Sequence, residues 1–187
     1  FLHMAVYADY FPELPGGSAA GRAMEPAPFD ARTLGEARAH IRPPALAAPV
    51  PMPVTGRSYR WMNLVARHPR GIMTSAKMLG IGLGGMALRR EYIAGGGALA
   101  AGLYAGLLQQ GVPVWRNAPL TGLVVEDGAV CGVTVERDGA PVTVRARRGV
   151  LLSAGGFDRN AAMRHEHQSE QVDGSWSLGS PSLTGDA

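Results

Sequence analysis

The sequence predicts an α/β protein in which part of a nucleotide-binding domain is joined to an antiparallel β-meander. Three observations carry that expectation. A glycine-opened, small-residue stretch runs from Gly95 to Gln110. Two Asp-Gly turns, Asp127-Gly128 and Asp138-Gly139, separate alternating apolar runs. The aliphatic run Val150-Leu151-Leu152-Ser153 stops at Ala154-Gly155-Gly156-Phe157. An aliphatic strand ending in small residues brings bare backbone close to a bound nucleotide, because glycine has no Cβ to hold the ligand away. No glycine-rich strand-turn-helix opens the chain, so the first half of such a domain is missing from the expectation.

Taken in order, Phe1 to Gly35 is loop-rich, with Asp9-Tyr10-Phe11-Pro12-Glu13 and Leu14-Pro15-Gly16-Gly17 as turn punctuation around aromatic residues. Thr33-Leu34-Gly35-Glu36 predicts a short element, and Pro43 to Pro53, with five prolines, predicts an extended connector. From Thr55 to Glu91 apolar residues recur at mixed helical spacing: Trp61, Leu64, Val65, Met73, Met78, Leu79, Met86 and Leu88. These fill a core or form a plastic wall for a bulky apolar ligand. Gly80-Ile81-Gly82-Leu83-Gly84-Gly85 superficially matches a dinucleotide fingerprint. No β-branched strand precedes it and no acid follows at the distance a ribose needs, so it reads as a helix break or a close backbone approach.

Gly97 to Gln110 predicts a helix ended by Gly111, and Val112 to Trp115 the start of a strand. Leu120–Glu126, Val130–Glu136 and Val142–Arg147 then alternate across the two Asp-Gly turns as a meander, feeding a buried strand at Gly149–Ser153. The chain thus divides into a loop-rich and helical segment, 1–94, and a segment of helix, meander and ligand-contacting strand, 95–187.

Composition bounds the function. Hydrophobic residues at 46% and charged residues at 18% describe a folded globular chain. Net charge is +3, yet no acid lies between Glu36 and Glu91, where Arg38, Arg42, Arg57, Arg60, Arg67, Arg70, Lys77, Arg89 and Arg90 all fall. Without aromatic interleaving or a nucleic-acid motif this block reads as a solvated helical face, with no nucleic-acid partner. The single Cys131 forms no internal disulfide and fits a reducing, cytoplasmic setting as a small packing residue. No apolar run approaches the roughly eighteen residues of a membrane span, so no stable membrane insertion is expected. His165, Glu166 and His167 diverge on a helix, so no metal site is expected, and no serine sits in a nucleophile elbow. The ends, Phe1 and Ala187, read as cuts in a longer chain.

Several of these segments resemble the flavoproteins of the fumarate reductase and 3-ketosteroid dehydrogenase superfamily. They are Glu91 to Leu99, Pro119 to Val125, Arg148 to Phe157, Asn160 to Arg164 and Thr184-Gly185-Asp186-Ala187. Within it, Asp9 to Gly17 and Gly21-Arg22-Ala23-Met24-Glu25-Pro26 resemble the 3-ketosteroid dehydrogenases in particular. The resemblance implies a partial FAD-binding domain, Rossmann-like and of the glutathione-reductase type, with the meander and a helical and loop insertion. The N-terminal fingerprint and the catalytic domain would lie outside it.

The resemblance also implies a site. The Leu120 backbone would meet the adenine, Ala154 and Gly155 would let the chain pass close to the nucleotide half of FAD, and Asp186, with Gly185 giving the approach, would contact its central part. Tyr10 would support a second tyrosine that removes a steroid proton while hydride passes to the flavin N5. A phenol, with a usual pKa of about 10, is a poor base unless a neighbouring donor stabilises its phenolate. The implied partners are a steroid-like apolar substrate and an external electron acceptor. Two alternatives stand beside this: a fumarate reductase-type flavoprotein acting on a small dicarboxylate, and a non-enzymatic binding module that works through its basic block.

Overall fold

The computed structural model describes residues 1–4, 8–19, 21–43, 50–168, 175, 177 and 179–185. Its chain divides into two units, Phe1–Val114 and Trp115–Ala187. Helices and sheets occur together, and every strand pairing among the described residues is antiparallel.

In the first unit β1 (Leu2–Met4) pairs with β2 (Ala23–Glu25), Leu2 opposite Glu25. β3 (Phe29–Asp30) pairs with β4 (Tyr92–Ile93) across the whole helical insertion. A 3-10 helix, Ala31–His40, leaves β3 under an Asp30 cap that accepts the Arg32 N–H at 3.2 Å, and it kinks at Gly35, where φ is 58°. Arg38 then reaches back to Glu91 with two bonds, Nε at 3.0 Å and Nη2 at 2.5 Å.

Helix α1 (Gly56–Met62) opens on a capping box between Thr55 and Ser58. Helix α2 (Pro69–Ala87) opens with proline in its first turn, where the missing N–H costs nothing. The expected break at Gly80–Gly85 does not occur. The helix runs through, and the glycines serve close approach: Gly82 lies so near the Pro51 carbonyl that a Cβ there would overlap it, and a Cβ at Gly85 would stand 2.9 Å from the Tyr92 ring. Of the bulky residues read as a core or an apolar wall, Leu64, Val65, Met73, Met86 and Leu88 are exposed, Met73 at 70%, while Trp61, Met78 and Leu79 are half-buried.

Helix α3 (Gly95–Gln109) supplies what core this unit has. Ala98 and Ala101 are buried, as are Ala31 and Leu34 of the 3-10 helix on which α3 packs. The helix ends in a Schellman motif: the Val112 N–H donates to the Leu107 carbonyl and the Gly111 N–H to that of Leu108, with Gly111 at φ 67°.

The second unit is built on β5 (Leu120–Glu126), β6 (Ala129–Arg137) and β7 (Ala140–Arg145), in that order. Both Asp-Gly turns carry positive φ at each residue, 51° and 78° at Asp127-Gly128 and 54° and 77° at Asp138-Gly139. That geometry matches the twist of the flanking strands and accepts few residues other than Asn, Asp and Gly. Helix α4 (Ala161–His167) follows, capped by Asn160, which accepts the Met163 N–H at 3.1 Å.

Two expected strands are not found. Val112–Trp115 and Gly149–Ser153 enter no ladder, and Leu151 is 90% exposed. A strand exists through pairing, and neither run pairs with another strand among the described residues.

Candidate functional site

Tyr10 sits at the start of a loop closed on itself. The Asp9 N–H donates to the Ser18 carbonyl at 3.0 Å, and the Asp9 carboxylate accepts the Ser18 N–H at 3.0 Å. Arg22 donates to the same carboxylate through Nη2 at 2.5 Å. The Arg22 guanidinium holds the Asp9 carboxyl below the usual carboxylate range, so the clamp stays ionised at neutral pH. Gly16, at φ 85°, makes the turn possible. The Tyr10 side chain is 100% exposed and lines an open depression of about 660 Å³ with Asp9, Phe11, Leu14 and Arg22. Tyr7, the neighbouring phenol, lies outside the described residues.

In the second unit two expected cofactor segments meet. The Gly185 N–H donates to the Gly156 carbonyl at 3.3 Å, and two further bonds stitch the same strands of chain: the Arg159 N–H to the Leu183 carbonyl at 2.9 Å and Asn160 Nδ2 to the Thr184 carbonyl at 2.9 Å. Gly155 and Gly185 both take left-handed backbone, φ 91° and 77°. A Cβ on Gly155 would stand 2.9 Å from Leu183 Cδ2, so the turn needs glycine for space as well as for φ. Ala154 and Gly155 present exposed backbone with no side chain beyond Cβ. Such a bare edge fits a flat nucleotide ligand. Asp186 lies outside the described residues.

Leu120 opens β5 opposite Val135, and the register shifts between Leu120 and Gly122. That irregularity interrupts the ladder beside the residue expected to meet an adenine, and bulges often stand where a strand must reach a ligand. The Pro119 carbonyl accepts the Glu136 N–H at 3.0 Å and fixes the entry to the strand.

Sequence reasoning missed the Asp9–Arg22 clamp and the Glu25 carboxylate at the start of α1. Thirteen residues separate the first pair and thirty-one separate Glu25 from Gly56. Neither spacing is a local signal. Among the described residues no three His, Cys, Asp or Glu side chains come together as a metal site, and no helix is long and apolar enough to cross a membrane.

Residues 2–187 match the FAD binding domain family, and the chain belongs to it. Its architecture, helices with antiparallel sheets, is that of a partial FAD-binding domain of the α/β class. The 3-oxosteroid 1-dehydrogenase of Mycolicibacterium smegmatis is 40% identical over 185 residues, covering 96% of this chain and 32% of that protein. The 3-oxosteroid 1-dehydrogenase of Comamonas testosteroni is 35% identical over 178 residues, 88% of this chain and 30% of the relative. The crystal structure of 3-ketosteroid delta1-dehydrogenase from Sterolibacterium denitrificans in complex with 1,4-androstadiene-3,17-dione superposes with a TM-score of 0.85 at 35% identity, covering 96% of this chain and 34% of that one. The chain therefore spans about a third of the length of the relatives it matches.

Proposed function

We propose that this chain is part of an FAD-dependent dehydrogenase of 3-keto steroids. The observation that carries the FAD part of the reading is the joining of Gly156 to Gly185, which sets two left-handed glycine turns and the bare Ala154–Gly155 edge at one place, and the likeness to 3-oxosteroid 1-dehydrogenases over 96% of this chain supports the steroid part. Ala154, Gly155 and Gly185 would hold the nucleotide by backbone approach, Asp186, next in the sequence, would contact the central part of FAD, and Leu120 would offer its N–H and C=O to the adenine edge. Bound FAD supplies the acceptance of hydride.

The chain's own contribution to the chemistry is Tyr10. Its Oη–H would donate to the oxygen of a second tyrosine elsewhere in the full-length protein, which stabilises that group as a phenolate and lets it take a proton from the steroid ring. The Asp9–Arg22 clamp fixes the loop from which Tyr10 projects. A steroid-like apolar substrate, an external electron acceptor and a cytoplasmic location belong to the same reading.

The test is expression of the complete reading frame. The protein should purify yellow, with flavin absorbance, and should dehydrogenate a 3-keto steroid in the presence of an artificial acceptor. A folded but colourless protein overturns the reading. A yellow protein that acts on fumarate and not on steroids replaces it with the dicarboxylate alternative.

A further inference from the structure

Asn160 serves two backbone groups with one side chain. Its Oδ1 accepts the Met163 N–H at 3.1 Å, which caps α4, and its Nδ2 donates to the Thr184 carbonyl at 2.9 Å. The two partners are of opposite kind, a donor and an acceptor, so they fix which way round the amide lies. Capping alone does not call for this residue, since Ser and Asp cap a helix about as well as Asn. The bond to Thr184 does call for it. A carboxylate would set oxygen against the carbonyl oxygen, and a serine hydroxyl, one bond shorter, does not span the same two groups.

The backbone that Asn160 holds has few other ties. Gly185 takes φ 77° and has no side chain to anchor it, and its N–H meets the Gly156 carbonyl at 3.3 Å, longer than is usual for such a bond. Glycine also loses more conformational freedom than any other residue when a turn is fixed. Helix α4 packs straight onto this turn: a Cβ at Gly185 would overlap Met163 Sδ and stand 3.0 Å from Phe157 Cβ. The start of the helix is itself well anchored. The Asn160 N–H donates to the Phe157 carbonyl at 2.9 Å, and the buried Arg164 donates to the Asp158 carbonyl at 3.1 Å and to Gln168 Oε1 at 3.0 Å.

We propose that Asn160 is a positioning residue of the FAD site, holding the Thr184–Gly185 backbone against the Gly155–Gly156 turn so that the bare edge is formed before the cofactor arrives. The inference rests on the FAD reading above and adds to it a side chain that acts through backbone. An edge already in place spares the ligand the entropy of ordering it. Without the Asn160 amide, the glycine turn is free to sample other conformations, and FAD must order it on binding.

The test uses the full-length protein, stripped of flavin and titrated with FAD. Asn160→Ser keeps a capping oxygen, removes the bond to Thr184 and adds no charge. Its apoprotein should melt close to wild type, while the Kd for FAD rises about fivefold to tenfold. Asn160→Ala also loses the cap, so its apoprotein should melt lower, yet its Kd should match that of Asn160→Ser. Affinity and stability thus part company if the bond to Thr184 is the cause.

Equal FAD affinity in wild type and Asn160→Ser overturns the inference, and so does affinity that falls in step with melting temperature across the two variants. A wild-type protein that purifies colourless and takes up no FAD overturns the underlying reading and this inference together. Asn160→Asp, an equally good cap that cannot donate to a carbonyl, carries the same comparison if Asn160→Ser does not fold.

Discussion

The Glu25 carboxylate closes the N-terminus of α1, accepting the Gly56 N–H at 2.6 Å and the Arg57 N–H at 3.0 Å. Glu25 is buried at the end of β2, so one carboxylate ties the first sheet to the helical insertion. Anionic groups are favoured at a helix N-terminus, where backbone N–H groups lack intrahelical partners.

Replacing Glu25 by Ala leaves both N–H groups without this acceptor and should cost about 1–2 kcal/mol. Denaturant unfolding of the full-length protein, compared with Glu25→Gln, measures it. The Gln variant keeps an acceptor oxygen and should fall between the two.

The glycines of α2 should divide by position. Gly82→Ala drives a Cβ into the Pro51 carbonyl and should destabilise by about 1–3 kcal/mol. Gly80 and Gly84 have nothing within 4 Å of a built Cβ, so alanine there should stabilise by as much as about 1 kcal/mol. Thermal melts of the three single variants decide this.

Arg145 holds Glu126 through two bonds, at 2.8 and 2.5 Å, and its side-chain hydrogen bond is the main cause that keeps the Glu126 carboxyl below the usual range. A carboxyl lowered in the folded state stabilises the protein above its unfolded pKa, and that contribution is lost as pH falls through the folded value. The stability difference between wild type and Arg145→Gln should therefore be constant at neutral pH and shrink below about pH 4. Carboxyl titration by NMR should show Glu126 moving up in the variant.

Partial burial, and then the neighbouring Glu126 carboxylate, push the Cys131 thiol up, and its Sγ–H donates to the Val124 carbonyl at 3.4 Å. Alkylation by iodoacetamide near neutral pH should be slower than for a free cysteine, because thiolate is the reactive form. Glu126→Gln should accelerate it. An unchanged rate would remove Glu126 from the account.

Tyr10→Phe keeps the exposed ring and removes its hydroxyl. Under the proposed role, steroid turnover by the full-length enzyme should fall about tenfold to a hundredfold, with flavin content unchanged. Gly155→Val should do the reverse, lowering flavin content first, since its φ of 91° disfavours any Cβ.

How legible each element was follows from how local its cause is. The Asp127-Gly128 and Asp138-Gly139 turns and the Gly111 stop were readable because each depends on one residue's access to positive φ. Helix α2 was misread at Gly80–Gly85 because glycine marks both a break and a close approach, and only Pro51 and Tyr92, distant in sequence, decide between them. The strand at Gly149–Ser153 was read from its aliphatic run, yet a ladder needs a neighbour that composition does not supply. At the candidate site, Ala154–Gly155 was visible as small residues after that run. Its link to Gly185, and the clamp of Asp9 by Arg22, span too many residues for any spacing rule.

The bare run at Gly149–Ser153 bears on how the protein behaves in the test tube. Leu151 and Leu152 stand exposed, and no backbone hydrogen bond to described residues engages 150–153. Unpaired, aliphatic, uncharged backbone is a template for edge-to-edge growth between molecules. The chain produced on its own should therefore precipitate as its concentration rises, and Leu151→Lys, a gatekeeper charge at the most exposed point, should keep it in solution.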